Sequence, residues 1–190
     1  MTQAYRITDV HIHIQPWRDM LPHVQESMRR GKEDHWDFLL AIMDDPKALL
    51  DVMDRSGVWR VGMVNYTSPD VMGFTDTTNT FIAKYALTNP ERLMPYGGVH
   101  ARFTTDPEGD VDRLVDLGIR CLKIHPPHQL YRPTRTPTAS TRWAGFTAAV
   151  RRAGCRSWCI PGRAFSRAPA PSTATPWSWT TSPSISPIWR

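Results

Sequence analysis

Polar and apolar residues alternate from Tyr5 to Ile14 with few breakers, the two-residue period of a β-strand. On such a strand Asp9, His11 and His13 share one face, and Val10, Ile12 and Ile14 share the other. Gln15 to Asp45 reads as a long connection carrying Trp17, His23 and a charged run at Arg29 to Asp37, the kind of loop that covers a site. Pro46 then opens a helix with Ala48, Leu49, Val52 and Met53 at helical spacing, and Gly57 stops it. Val58 to Val64 reads as a second strand, and Phe74 to Leu87 as a helix closed at Asn89-Pro90. Leu93 to Val99 is a third strand, with Pro95 expected at its start. Asp106-Pro107 caps a helix with its apolar stripe at Val111, Leu114, Val115 and Leu117, ended by Gly118. Ile119 to Ile124 makes a fourth strand, running into His125-Pro126-Pro127. Four strands separated by helices predict right-handed βαβ units and a parallel sheet.

Charge divides the chain. All 18 acidic residues lie between Asp9 and Asp116, and residues 1–116 hold 12 Lys and Arg, whereas Leu117 to Arg190 holds 11 Lys and Arg and no acid. The net charge of +5 therefore belongs to the second part, and a nucleic-acid role for it has to be tested against the composition of that part. The 190 residues suffice for one domain with a sizeable core, and no apolar run approaches a membrane span. The first residues are polar and lead straight into the strand, so no leader is expected. Cys121, Cys155 and Cys159 form neither a disulfide framework nor a zinc-type spacing, which fits a cytoplasmic protein.

The chemistry with the clearest geometry is His11-x-His13. Two imidazoles on one face of a strand end can grip a single divalent cation, because neutral imidazole is a common ligand for zinc and the strand holds the pair without loop entropy. The competing reading is an ordinary surface or core pair. A metal-type pair at a strand end favours a barrel over a doubly wound sheet, since barrel sites are built at the C-terminal ends of the strands.

Asp9-Val10-His11-Ile12-His13, together with Gly118-Ile119-Arg120-Cys121-Leu122-Lys123-Ile124-His125-Pro126-Pro127, resembles the amidohydrolase-related family of metal-dependent hydrolases and decarboxylases. The resemblance covers Tyr5 to about Arg132. It implies the N-terminal half of a (β/α)8 TIM-type barrel over residues 1–133, with His11 and His13 as the first two metal ligands. The cofactor it implies is a divalent metal, zinc first and manganese second. Relatives take their remaining ligands from later strands, a His on the fifth and an Asp on the eighth. Lys123 and His125, two apart on the fourth strand, would face the barrel interior and bind substrate or support the metal ligands; a hydrogen-bonded core histidine is the alternative for His125. Trp17 and Tyr131 would line the pocket or serve as packing aromatics. The implied partner is a small-molecule substrate, with no specific nucleic acid and no membrane; the oligomeric state is left open.

From Thr134 the pattern fails. Residues 134–190 are rich in Pro, Ser, Thr, Ala, Arg and Trp, lack a fifth-strand His motif, and read as an irregular, disordered tail without a domain. Back-translation offers a cause. Starting each codon on the third base of the printed one forces Val across Trp158/Cys159 and His or Tyr across Cys159/Ile160, and the neighbours permit V-M-V-H-T-G, the missing motif. Pro176 to Thr181 permits M-V-L-D-D in the same way. The reading frame is inferred to slip near Pro133, which also accounts for the absent acids. The chain is then a fragment of a metal-dependent hydrolase or carboxy-lyase, expected to be inactive as it stands. A nucleic-acid- or acidic-surface-binding protein acting through the basic tail is the alternative.

Overall fold

The computed structural model describes residues 5–119, 121–130, 148–150, 152 and 156–159. Five strands form one parallel sheet in sequential order: β1 (Ile7–Ile12), β2 (Val58–Met63), β3 (Leu93–Gly97), β4 (Cys121–Ile124) and β5 (Arg156–Cys159). Between β1 and β2 lie α1 (Pro22–Arg29), α2 (Trp36–Asp44) and α3 (Pro46–Arg55); α4 (Thr77–Ala86) and α5 (Pro107–Asp116) make the next two crossovers. Sequential order is informative. With right-handed crossovers, strands added always on the same side carry their helices on one face, whereas a doubly wound sheet must reverse direction. The architecture is mixed α/β and compatible with part of a TIM-type barrel.

Local chemistry explains the elements. Asp45 and Asp106 accept hydrogen bonds from the Lys47 and Gly109 amides, and each is followed by a proline whose missing N–H costs nothing at a first helical position. Gly57 and Gly118 lie at φ +69° and +81°, the left-handed conformation that lets the chain leave α3 and α5. The core lies between the sheet and its helices. Val61, Met63, Leu93, Leu122 and Ile124 of the strands meet Leu49, Met53, Ile82, Val111 and Leu114 of the helices, all buried. Full burial of each such side chain is worth about 1.5–3 kcal/mol.

Several expectations need correction. The connection after β1 is not a loop: α1 and α2 fill most of it, because Val24, Met28, Leu39, Ile42 and Met43 carry an apolar stripe at helical spacing. Of the two readings left open for Trp17 the packing one holds: it lies in the core against Trp36, ring centroids 5.3 Å apart. Phe74 precedes α4 rather than opening it, fully buried and bridged in antiparallel fashion to Ser68. Pro95 sits inside β3 opposite Met63, not at its start. β1 ends at Ile12, so His13 and Ile14 lie just beyond it.

The largest correction concerns the region read as an irregular tail. Arg156–Cys159 pairs along β4, with Cys121 opposite Arg156 and Ile124 opposite Cys159, so a fifth parallel strand stands where none was expected. Residues 148–150 are helical, Ala149 and Val150 are buried in the core, and Arg152 forms an ion pair with Glu108 of α5 at 2.7 Å. A paired β5 counts against an out-of-frame origin for that stretch. The remaining residues of 134–190 lie outside the described ones.

At the opposite edge β1 has, among the described residues, a neighbour on one side only. Tyr5, Ile7 and Val10 are exposed there, as an open sheet edge leaves them. Among the described residues no helix is long and apolar enough to cross a membrane.

Candidate functional site

His11 belongs to β1 and His13 follows it by one residue. Their Nε2 atoms stand 3.2 Å apart, and the ring centroids 5.1 Å. Two nitrogens each about 2.0–2.1 Å from one zinc in tetrahedral geometry are separated by about 3.3 Å, so the pair has a chelating spacing. The Asp9 carboxylate accepts the His11 backbone N–H at 2.9 Å and thereby braces the turn of the strand.

Four imidazoles and one amine converge here from two strand ends. Lys123, on β4, is buried, and its Nζ lies 5.9 Å from the centre of the Tyr66 ring. His125, one residue past β4, stacks on the same ring at 5.1 Å and on His128 at 4.0 Å. His13 meets Tyr66 edge-on at 6.5 Å. Tyr66 therefore joins the β1 pair to the β4 residues. Its hydroxyl lies 2.6 Å from His128 Nδ1.

These surroundings keep the imidazoles neutral. Burial lowers the pKa of His11, with the charge of Lys123 acting in the same sense and Asp9 opposing. His13 retains an exposed edge, yet desolvation and the neighbouring His11 and Lys123 lower it as well. Burial, then His128, then Lys123 push His125 down to about 4, and burial and Lys123 lower His128. A neutral imidazole keeps the lone pair that coordination requires. Burial raises the Tyr66 pKa, so the phenol stays protonated and can donate to His128.

The loops around the cluster are tied together by Gln129. Its Nε2 donates to the Thr67 and Val99 carbonyls at 3.1 and 3.0 Å, and its Oε1 accepts the His125 N–H at 3.3 Å. Ser68 Oγ adds a bond to the His128 carbonyl at 2.7 Å. One fully buried side chain thus joins the C-terminal ends of β2, β3 and β4.

All four residues expected from the sequence, His11, His13, Lys123 and His125, stand on the C-terminal side of the sheet around Tyr66. Sequence reading missed Tyr66, His128 and Gln129. Tyr66 follows β2 by three residues, where barrel sites are built, and His128 follows His125 by three; both positions were legible signals. Gln129 had none. Tyr131 lies outside the described residues, as do most of the basic residues of 134–190. Among the described residues no group of three or more His, Cys, Asp or Glu is arranged to hold a metal, so the histidine pair fits two ligands of a site and not a full set. Compared with known proteins, the chain matches no family model, no curated protein and no solved structure.

Proposed function

We propose that the chain is the N-terminal part of a metal-dependent enzyme of the amidohydrolase-related kind, built on a (β/α)8 barrel and acting on a small, carboxylated or cyclic substrate by hydrolysis or nonoxidative decarboxylation. The observation that carries this reading is the 3.2 Å spacing of the His11 and His13 Nε2 atoms at the C-terminal end of β1. Neutral imidazoles at that distance are arranged as ligands rather than as a charged surface pair. When bound there, a zinc or manganese ion supplies an activated water or an anchor for a substrate carboxylate.

The chain's own residues divide the remaining work. Lys123, buried beside the imidazoles, offers a positive charge to an anionic substrate group. Tyr66 and His128 form a hydrogen-bonded pair able to hold or pass a proton, and His125, stacked against both, fixes their ring planes. Gln129 keeps these loops in register. Two protein ligands are fewer than the three a catalytic zinc site normally uses. The chain as it stands should therefore bind metal weakly and turn nothing over.

Metal analysis and calorimetry test the proposal. Zinc or manganese should bind weakly to the chain, and His11→Ala or His13→Ala should abolish the saturable component. A version with its frame restored near Pro133 should purify with stoichiometric metal that either substitution removes. Metal retained after both replacements, or no metal in the restored protein, would show that the β1 pair is not the site.

A further inference from the structure

Tyr66 joins the β1 histidines to the β4 residues, so whatever fixes Tyr66 fixes the site. Two bare positions at the end of β3 lie against it. A Cβ on Gly97 would meet Asn79 Oδ1 at 2.7 Å and Ile119 Cδ1 at 2.8 Å, on the side of the helices. A Cβ on Gly98 would meet the Lys123 carbonyl at 2.8 Å and Tyr66 Cα at 3.2 Å, on the side of the histidine cluster. The end of β3 is thus threaded between α4 and the cluster, with no room for a side chain on either face.

Asn79, in the first turn of α4, is buried and bonds to both polar groups of Gly98. Its Oδ1 accepts the Gly98 N–H at 2.9 Å, and its Nδ2 donates to the Gly98 carbonyl at 3.0 Å. β3 has by then left its ladders, whose last pairs are Met63 with Pro95 and Leu122 with Gly97. The Asn79 amide therefore does for Gly98 what a neighbouring strand does for the residues before it. Aspartate would lack the donor, and leucine would lack both groups. The preceding residue of α4 acts on Tyr66 from the other direction: the Thr78 carbonyl accepts from Asn65 Nδ2 at 3.1 Å, and Asn65 Oδ1 accepts the Tyr66 N–H at 3.0 Å.

We propose that Asn79 is a positioning residue for the histidine cluster. By clamping Gly98 it holds the end of β3 against the Tyr66 backbone on one side and the Lys123 carbonyl on the other. It thereby sets where the Tyr66 ring stands relative to Lys123 Nζ and His128. Gln129 braces the same loops from the β4 side, whereas Asn79 acts from the helix layer. The catalytic weight of this placement rests on the metal-dependent reading above, while the placement itself does not.

NMR of the full chain at neutral pH tests this. In the unaltered protein the Gly98 amide should exchange as slowly as those of β3, and an NOE should join the α protons of Gly98 and Tyr66. Asn79→Ala should cost that amide about tenfold or more of its protection. It should also move the His128 ring nitrogens away from the shifts of a ring accepting a hydrogen bond at Nδ1, toward the average of two tautomers. Asn79→Asp, which keeps the acceptor for the Gly98 N–H, should fall between. Leu49→Ala, a core truncation in α3, should lower the thermal midpoint without moving His128, which separates placement from a general loss of stability. A fast-exchanging Gly98 amide or a missing NOE in the unaltered chain overturns the proposal, so it is decided even where Asn79→Ala does not fold. It falls equally if His128 keeps its shifts in folded Asn79→Ala, or if Leu49→Ala moves them as far. Zinc titration of the same samples keeps the two readings apart. No saturable zinc at His11 and His13 overturns the metal reading and leaves the placement standing, and an unmoved His128 beside bound zinc does the reverse.

Discussion

The Tyr96 hydroxyl lies 2.5 Å from the point where Gly62 would carry a Cβ. A side chain from β3 thus crosses the open face of β2 and rests on its bare backbone. The Val10 carbonyl of β1 stands 2.7 Å from the same point, so three adjacent strands share one close approach below the histidines.

Gly62→Ala should therefore destabilise the protein by about 1–3 kcal/mol, the usual range for forcing a methyl group into filled space. The tyrosine can swing away in part, but the Val10 carbonyl is backbone and cannot move without disturbing the β1–β2 ladder. Urea denaturation checks the value, and Gly62→Ala combined with Tyr96→Leu should recover part of the loss. An unchanged midpoint in the single variant would mean that the strands are not this close.

Gln129→Leu preserves bulk while removing two donors and one acceptor from a buried position. The Thr67 and Val99 carbonyls and the His125 N–H would lose their partners together, at a cost of about 2–4 kcal/mol. The same variant should expose the loops after β2 and β3 to faster amide hydrogen exchange while leaving α3 and α5 protected.

Acid should weaken the fold before most carboxylates titrate. Burial and then Arg102 lower the pKa of His100 from 6.5, and His125 is pushed down to about 4. Below pH 6.5 the unfolded chain takes up protons that the folded one refuses, so stability is full above that value and falls between about pH 6.5 and 4. For two partly solvated groups the combined loss is on the order of 1–3 kcal/mol. Urea midpoints measured across this window should decline as the pH falls, and His100→Asn should remove part of that decline. A profile flat from pH 7 to 5 would show that neither ring is shielded.

The nucleotide sequence tests the inferred frame slip directly. If the shifted frame after Pro133 runs open for about another half-barrel and encodes a histidine across Cys159/Ile160, the printed residues 134–190 have no evolved role. The pairing of Ile124 with Cys159 would then put that histidine on the strand next to the one bearing Lys123. A stop codon soon after the shift, or a printed frame with ordinary codon usage, would make β5 a genuine product of this sequence.

The order of elements was legible in the chain because its punctuation is local. Asp45-Pro46 and Asp106-Pro107 start helices, Gly57 and Gly118 end them, and each signal acts through backbone geometry within a few residues. The His11/His13 pair was legible for the same reason, since a two-residue spacing at a strand end brings two rings together without help from the rest of the fold. Periodicity failed where helices are short and amphipathic, in α1 and α2, and in β5, whose pairing depends on the β4 edge more than on its own four residues. Tertiary structure alone decided the company the histidines keep. Tyr66 meets His128, and Thr67 meets Gln129, across 62 positions of sequence in each case, through side chains aimed by loops. Loop conformation is set by packing against neighbouring strands rather than by local preference, so only the assembled sheet could bring β2 and β4 to one site.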